Sequence, residues 1–417
     1  NLCNYDDIIL KNKYNNFYKT KIFIRLIINL FTFTPLSWSK KLKIENLFYI
    51  HPVNKNRKNV SINKIMSSFS NNAILLNNKI IKLNNINYNY KRVSLLKFPK
   101  LLFYIFFKAY FFSRYKITLS TKIILLNDFI DYFYLKIMII KFQPDFVYTN
   151  YESSKALLIQ HASKCIKNCV SLSSSFSGGD FPSEYEFTHY RKISDIYFVW
   201  GKFVSNIYRQ SNDYSKFHIF SGYTGNINYI KNFIPKEKLN KNKTITLFDT
   251  SVGLDIATSS KNIFDTIHTL SKLKEKYKIK IYLKTKKNHT QYLNKIKKMN
   301  LFDKIDHKHA SLEFINESDC VLGFCLSSPV LLASSIGKDV IFIDTNMNID
   351  KNYHHIFKNC IVNSSNELRT MLDKYINNKC NFQITEVYRK DINFFNDFNG
   401  QERVLKYLKL IKENKNK

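Results

Sequence analysis

The chain is poor in punctuation and in negative charge. Nine glycines and seven prolines across 417 residues leave long stretches without turn signals, so sequence fixes element boundaries only loosely. Asp and Glu number 32 against 65 Lys and Arg, a net charge of +33. That imbalance excludes an acidic surface and attracts polyanions: nucleic acid, anionic headgroups or the phosphates of a nucleotide sugar. The abundance of Lys, Asn and Ile also fits the codon bias of an AT-rich genome, a second account of the excess. A spanning helix needs roughly twenty apolar residues. The most apolar stretch, residues 101–112 (LLFYIFFKAYFF), is shorter and contains Lys108, so it is not expected to cross a bilayer. The seven cysteines form an odd set with no CxxC and no Cys/His spacing typical of zinc modules. A reducing, cytoplasmic compartment is expected, with buried thiols at Cys165 and Cys169. The chain starts at Asn1 and not at methionine, which leaves a longer natural start open.

What is present is ample apolar material, 45% hydrophobic and 15% aromatic, enough to offset the entropy of ordering the chain. The length exceeds one ordinary core and predicts two domains. Strands are expected at 45–52, 145–149, 169–173, 195–200 and 217–220, with helices at 102–114, 127–141 and 152–167. The charged run 235–243 (PKEKLNKNK) reads as a linker. A cleaner series follows: strands at 244–249, 279–284, 320–323, 339–344 and 360–362, and helices at 261–277, 290–299, 312–316, 328–335, 365–375 and 401–412. Strands alternating with helices predict parallel α/β sheets. The domains are placed at 1–240 and 241–417, with the last helix crossing back over the junction. The basic surroundings of residues 101–112 leave two readings, a helix lying on an anionic membrane face or a core helix with snorkelling lysines.

The most informative segment is 318–344, SDCVLGFCLSSPVLLASSIGKDVIFID. An apolar strand ends near Gly323, a loop follows, and Ser327, Ser328 and Pro329 suit the first turn of a helix. Such a helix aims its amides, its positive dipole end and two hydroxyls at the carboxyl edge of a parallel sheet, where phosphates bind. A capped helix that binds nothing has the same sequence pattern.

The order strand, Gly-x-x-x-Ser-Ser, helix, Gly-Lys, strand resembles the donor-binding segment of GT-B glycosyltransferases of capsule and surface-polysaccharide synthesis, among them sialyl- and Kdo-transferases and CDP-glycerol transferases. CIVNSSNELRTMLDKYI and DFNGQERVLKYLKL resemble later segments of the same family, and the likeness covers roughly residues 244–412. It implies an α/β, GT-B-like architecture of two Rossmann-like domains facing each other across a cleft. It also implies that Gly323, Ser327 and Ser328 hold the donor phosphate. Several members carry a Lys-Pro-His-Pro-like motif where this chain has Lys284, Thr285 and Lys286; the lysine matches, the histidine does not, and His289 stands three residues late. Lys284 or Lys286 would neutralise a diphosphate as point charges. Where the family often has Gln-His-Gly, this chain has Ser174-Ser175 and then Gly178-Gly179-Asp180. Asp180 is the candidate general base, with Glu184 and His189 behind it.

The activity implied is transfer of a sugar from a nucleotide-sugar donor to a surface glycan or lipid-linked acceptor. No resident cofactor and no metal are expected, because lysines and a helix terminus neutralise the leaving phosphates. Two other readings stay open: a polyol-phosphate transferase of the CDP-glycerol kind, and a basic non-catalytic protein binding nucleic acid or membrane. The lysines are spread along the chain and form no recognisable nucleic-acid module, which sets the nucleic-acid reading behind the transferase.

Overall fold

The structure is a computed structural model. It describes residues 46–49, 73–77, 80–83, 86–87, 103, 107, 110, 114, 119–149, 154–174, 193–210, 215–225, 242–249, 260–285, 296–306, 311–347, 349, 351–397 and 399–415. The first series comprises β1 (Asn46–Tyr49), β2 (Ala73–Asn77), β3 (Ile80–Leu83), β4 (Ile86–Asn87), α1 (Leu119–Phe142), β5 (Phe146–Thr149), α2 (Ser154–Ser163), β6 (Val170–Ser174), β7 (Ile196–Val199), α3 (Lys202–Gln210) and β8 (Phe217–Phe220). The second comprises β9 (Thr244–Phe248), α4 (Ser260–Lys276), β10 (Lys280–Lys284), β11 (Lys304–Asp306), α5 (Ser311–Glu317), β12 (Cys320–Phe324), α6 (Ser328–Ser335), β13 (Asp339–Ile343), α7 (His354–Phe357), β14 (Ile361–Val362), α8 (Ser365–Ile376), α9 (Glu386–Ile392) and α10 (Gly400–Lys415).

Two sheets form. The first runs β4-β3-β2-β1-β5-β6-β7-β8, parallel except for β3 and β4, which add antiparallel at one edge. The second runs β11-β10-β9-β12-β13-β14 and is parallel at every pairing. Its strands read as near-continuous apolar runs because both faces are covered by helices: every residue of β9 and β12 is buried. In α4 the buried Ile263, Ile267, Leu270 and Leu273 recur at helical spacing and lay one face on the sheet. At α8 the Ser364 hydroxyl accepts from the Glu367 amide at 3.2 Å while the Glu367 carboxylate accepts from the Asn363 amide at 2.7 Å, closing the first turn from both sides.

The two series share packing. Trp200 and the α3 residues Phe203, Val204, Ile207 and Tyr208 belong to the same buried cluster as the core of the second sheet. The Phe203 ring lies 5.1 Å from that of Tyr353 and 5.5 Å from that of Phe357. A Cβ at Gly201 would collide with the Asp391 carbonyl before α3, so the absence of a side chain there permits the contact with α9. The terminal α10 sets Val404 and Leu408 among Phe146, Tyr148, Leu172 and Phe198 of the first sheet. The last helix thus crosses back onto the first series.

Several expected elements differ. The hairpin of β2 and β3 was not legible because the two residues that separate its strands in sequence, Asn78 and Lys79, include no glycine. The helix expected at 127–141 starts eight residues earlier, at Leu119. The short β11 and the helices α3 and α9 were not foreseen either. Of the helix expected at 102–114, positions 103, 107 and 110 are helical and 114 is a turn; the linker at 235–241 lies outside the described residues. Cys169 is buried as expected, whereas Cys165 is exposed because it lies past the end of α2 in a surface turn. None of the six described cysteines forms a disulfide.

Candidate functional site

Numbered along the second series, the order of its sheet is 3-2-1-4-5-6: successive strands are added towards one edge up to β11 and towards the other from β12, so the order reverses between the parallel neighbours β9 and β12. Ligands of open α/β sheets bind outside the carboxyl ends of the strands at that point. Asp249, Thr285, Cys325 to Ser328 and Asp344 follow the strands there.

Gly323 pairs with Phe248 of β9 and Phe342 of β13 beneath the start of α6. A Cβ at that position would stand 2.5 Å from Val330 Cγ2 and 2.7 Å from Ser327 Oγ, so only glycine lets α6 approach β12 this closely. β12 runs one residue further than expected, to Phe324. Cys325 then takes φ +50°, in the left-handed region, and turns the chain towards Ser327. Its amide donates to the Ile343 carbonyl at 2.9 Å.

Ser327 is the N-cap of α6, yet its hydroxyl makes no capping bond. Its carbonyl accepts from the Val330 and Leu331 amides, both at 3.0 Å, and Pro329 has no N–H to offer. The first turn therefore offers fewer amides to a ligand than its sequence suggested. Ser327 Oγ is buried with no hydrogen-bond partner among the described residues, and so is Thr285 Oγ1 at the end of β10. Thr285 is 2% exposed. An unsatisfied buried hydroxyl costs about 1–3 kcal/mol, so two of them at one sheet edge call for a partner beyond the described residues. With β9 between their strands, they lie roughly 10 Å apart by strand spacing.

Asp344 orders the neighbouring loop. It is buried, accepts from the Ile349 amide at 2.8 Å, and lies 3.5 Å from the Cys325 thiol donor. The β12 and β13 loops are thereby tied together. Asn262, near the start of α4, donates to Thr345 Oγ1 at 2.6 Å.

Lys284 ends β10 with its side chain buried. Its Nζ lies 3.2 Å from Asp306 Oδ2 and 5.9 Å from the centre of the Phe314 ring. Its charge is matched inside the protein. Lys286, Asp180, Glu184 and His189 lie outside the described residues. The strand that leads to the last three is described. At its end Ser174 is 2.7 Å from the Tyr148 hydroxyl. Burial pushes the Tyr148 phenol up to about 12, against the downward pull of the Ser174 bond, so it is a neutral group at physiological pH. Gln160 Nε2 donates to Thr149 Oγ1 at 2.9 Å on the neighbouring strand. Thr285, Asp249 and Asp344 were missed as site residues. The signal was a polar residue directly after an apolar strand, in IKIYLKT, TITLFD and DVIFID.

Among the described residues, no three His, Cys, Asp or Glu side chains gather as a metal cluster, and no helix is long and apolar enough to cross a membrane. No family model and no curated protein matches the sequence. The fold does have relatives of known structure. The chain is similar to S. aureus MnaA, determined with UDP, over 89% of its own length and 97% of that chain, at TM-score 0.54 and 12% identity. It is also similar to the UDP-N-acetylglucosamine 2-epimerase of Rickettsia bellii, over 89% of its length and 96% of that chain, at TM-score 0.51 and 13% identity. The Methanocaldococcus jannaschii UDP-GlcNAc 2-epimerase, in complex with UDP-GlcNAc and UDP, matches over 88% and 100%, at TM-score 0.51 and 13% identity. At such identities the likeness is one of fold, and the fold is α/β and GT-B-like, with a mainly parallel sheet in one half, a fully parallel sheet in the other, and the last helix bridging them.

Proposed function

We propose that this chain is a nucleotide-sugar enzyme, and that it transfers the sugar to a surface glycan or lipid-linked acceptor. The observation that carries the reading is the pair of buried hydroxyls without a partner among the described residues, Ser327 Oγ and Thr285 Oγ1, at the carboxyl edge where the strand order of the second sheet reverses. Gly323, Ser327 and Ser328 would receive the donor phosphates at the start of α6, and Lys286 would add a point charge. Structures of the same fold determined with UDP support a uridine nucleotide first. In the transfer, an acceptor hydroxyl oxygen bonds to the anomeric carbon, the carbon–oxygen bond to phosphate breaks, and the nucleotide leaves with that electron pair. Asp180 would take the hydroxyl proton, with Glu184 and His189 as substitutes. The reaction needs no metal if lysines and the helix terminus neutralise the leaving group. EDTA should then leave turnover unchanged, and loss restored by a divalent ion overturns that part.

A second reading is epimerisation of the nucleotide sugar itself, favoured by the fold likeness to two UDP-GlcNAc 2-epimerases. A thermal-shift panel of CMP, CDP, UDP, GDP and dTDP at fixed ionic strength tests the shared part. A ligand at about 100 times its Kd stabilises by about 2.7 kcal/mol, so one nucleotide should raise the melting temperature selectively. A uniform response to every polyanion, abolished by moderate salt, reduces the site to bulk charge. Incubation with UDP-GlcNAc alone then separates the readings. An epimer formed without acceptor marks an epimerase, whereas nucleotide released only with acceptor glycan marks a transferase.

A further inference from the structure

Positions 103, 107 and 110 are helical and 114 follows in a turn, a spacing that puts four side chains on one face. Phe103 is 74% exposed, Phe107 54% and Tyr110 58%. Three aromatic side chains in a row on a water-facing stripe lose the burial that would stabilise them, which marks a surface meant for a partner. The stripe ends in a polar tip. The Arg114 guanidinium donates to the Tyr110 hydroxyl at 2.7 Å and lies 4.9 Å from the centre of its ring. Apolar rings capped by a phenol and a guanidinium are matched to a boundary between acyl chains and headgroups.

Charge selects the partner. Between Glu45 and Asp128 the chain has fourteen Lys and Arg and no Asp or Glu. Such a stretch repels a second copy of itself. It attracts a surface that is itself anionic and continuous, with an apolar layer beneath.

We infer that the Phe103, Phe107, Tyr110 and Arg114 face docks the protein on an anionic lipid bilayer, with the rings among the upper acyl chains and Arg114 at the headgroup phosphates. This assignment stands apart from the proposed reaction, because none of the four residues belongs to the second sheet. The association is peripheral. It combines a modest buried area with a salt-sensitive electrostatic part, and neither part suffices alone.

Sedimentation of the full chain with vesicles tests it. Vesicles of phosphatidylcholine containing phosphatidylglycerol should carry the protein down, and vesicles of phosphatidylcholine alone should not. The triple variant F103S/F107S/Y110S should lose at least about tenfold in partitioning, since each buried ring contributes on the scale of its transfer free energy. Its melting temperature should stay close to the wild-type value because the rings are more than half exposed. If that variant fails to fold, Phe107→Trp supplies the readout: its emission should shift to the blue and be quenched by brominated lipid on the anionic vesicles. Wild-type partitioning by a folded triple variant, or indole emission from Phe107→Trp that vesicles leave unchanged, overturns the proposal. Equal binding to neutral and anionic vesicles overturns it, and so does a concentration-dependent dimer that the triple variant abolishes, which reassigns the stripe to a second copy.

Discussion

Arg403 of the last helix donates through Nη1 to the backbone carbonyl of Ser221, 3.0 Å away and 182 positions earlier in the chain. Its other nitrogen meets the Asp397 carboxylate, and its guanidinium lies 3.4 Å from the centre of the Phe395 ring. The same loop is held twice more: the Tyr223 amide donates to Asn393 Oδ1 at 3.0 Å, and Gln401 Nε2 donates to the carbonyls of Thr224 and Gly225 at 2.8 and 2.6 Å. The end of β8 is therefore clamped by the segment that opens α10. Arg403→Ala should lower stability by about 1–2 kcal/mol, since it strands a carbonyl and a carboxylate that retain some solvent. Gly400→Ala should cost more, about 1–3 kcal/mol, because the new Cβ would meet the Tyr223 carbonyl and backbone yields little. Urea unfolding of both variants checks the order, and a larger loss in Arg403→Ala contradicts it.

Asp195 gathers the edges of two strands. Its carboxylate accepts from Lys164 at 2.6 Å and from the Ser171 amide and hydroxyl at 2.9 and 3.0 Å, with Lys216 at 3.2 Å. Burial pushes its carboxyl up, but the Lys164 and Ser171 bonds outweigh that and hold it below the usual carboxylate range. A depressed folded value contributes stability above the unfolded pKa of about 3.9, and that stability is lost as pH falls through the folded value. The wild type should thus lose stability on acidification below about pH 4, and Asp195→Asn should be weaker at neutral pH with a flatter acid limb. Urea midpoints from pH 6 down to pH 3 decide it; parallel curves for the two proteins would remove Asp195 from the acid response.

Thr285 and Ser327 separate binding from folding. A buried hydroxyl without a partner costs about 1–3 kcal/mol, so Thr285→Val should leave the free protein as stable as before or slightly more stable. The same change removes a group available to the donor. Nucleotide affinity should fall roughly fivefold to tenfold, the worth of one neutral hydrogen bond. Ser327→Ala should behave alike, since its hydroxyl caps nothing. Calorimetric titration of the nucleotide picked out by the thermal panel, beside an unfolding curve, gives both numbers. Unchanged affinity in the double variant would refute the phosphate site.

The second sheet was legible because its strands are buried on both faces. Runs such as TITLF, CVLGF and DVIFI leave no other reading, and Ser-Ser-Pro before a small-residue helix fixes where α6 begins. The first sheet was legible at β1, inside the strand expected at 45–52, and then only from 145 onward. Asn-rich segments around β2, β3 and β4 carry little apolar period, and their pairing depends on contacts distant in sequence. α3 went unseen although its apolar residues sit at helical spacing, because its burial is supplied by Tyr353 and Phe357 of the other series. For the site, Gly323 and Ser327 were readable as types in a pattern. The role of Thr285 depends on which strand neighbours β10, and that Lys284 pairs with Asp306 depends on β11, which its three residues do not announce.

Gly323 offers the sharpest test of how the site is built. Its missing Cβ is what lets Val330 and the Ser327 hydroxyl close over β12. In Gly323→Ala the methyl group would press on Val330, which is fully buried and cannot yield, and on the Ser327 hydroxyl, which can rotate away. Overpacking of this kind costs about 1–3 kcal/mol, and it displaces the hydroxyl from its place at the sheet edge. Stability and nucleotide affinity should therefore fall together. Removing the obstruction separates them: Gly323→Ala with Val330→Ala should regain stability relative to the sum of the single changes, because the two groups touch and their effects are not additive. Affinity should recover only in part, since the added methyl still crowds Ser327. A Gly323→Ala protein with wild-type stability and affinity would show that the close approach of β12 and α6 does not set the position of Ser327.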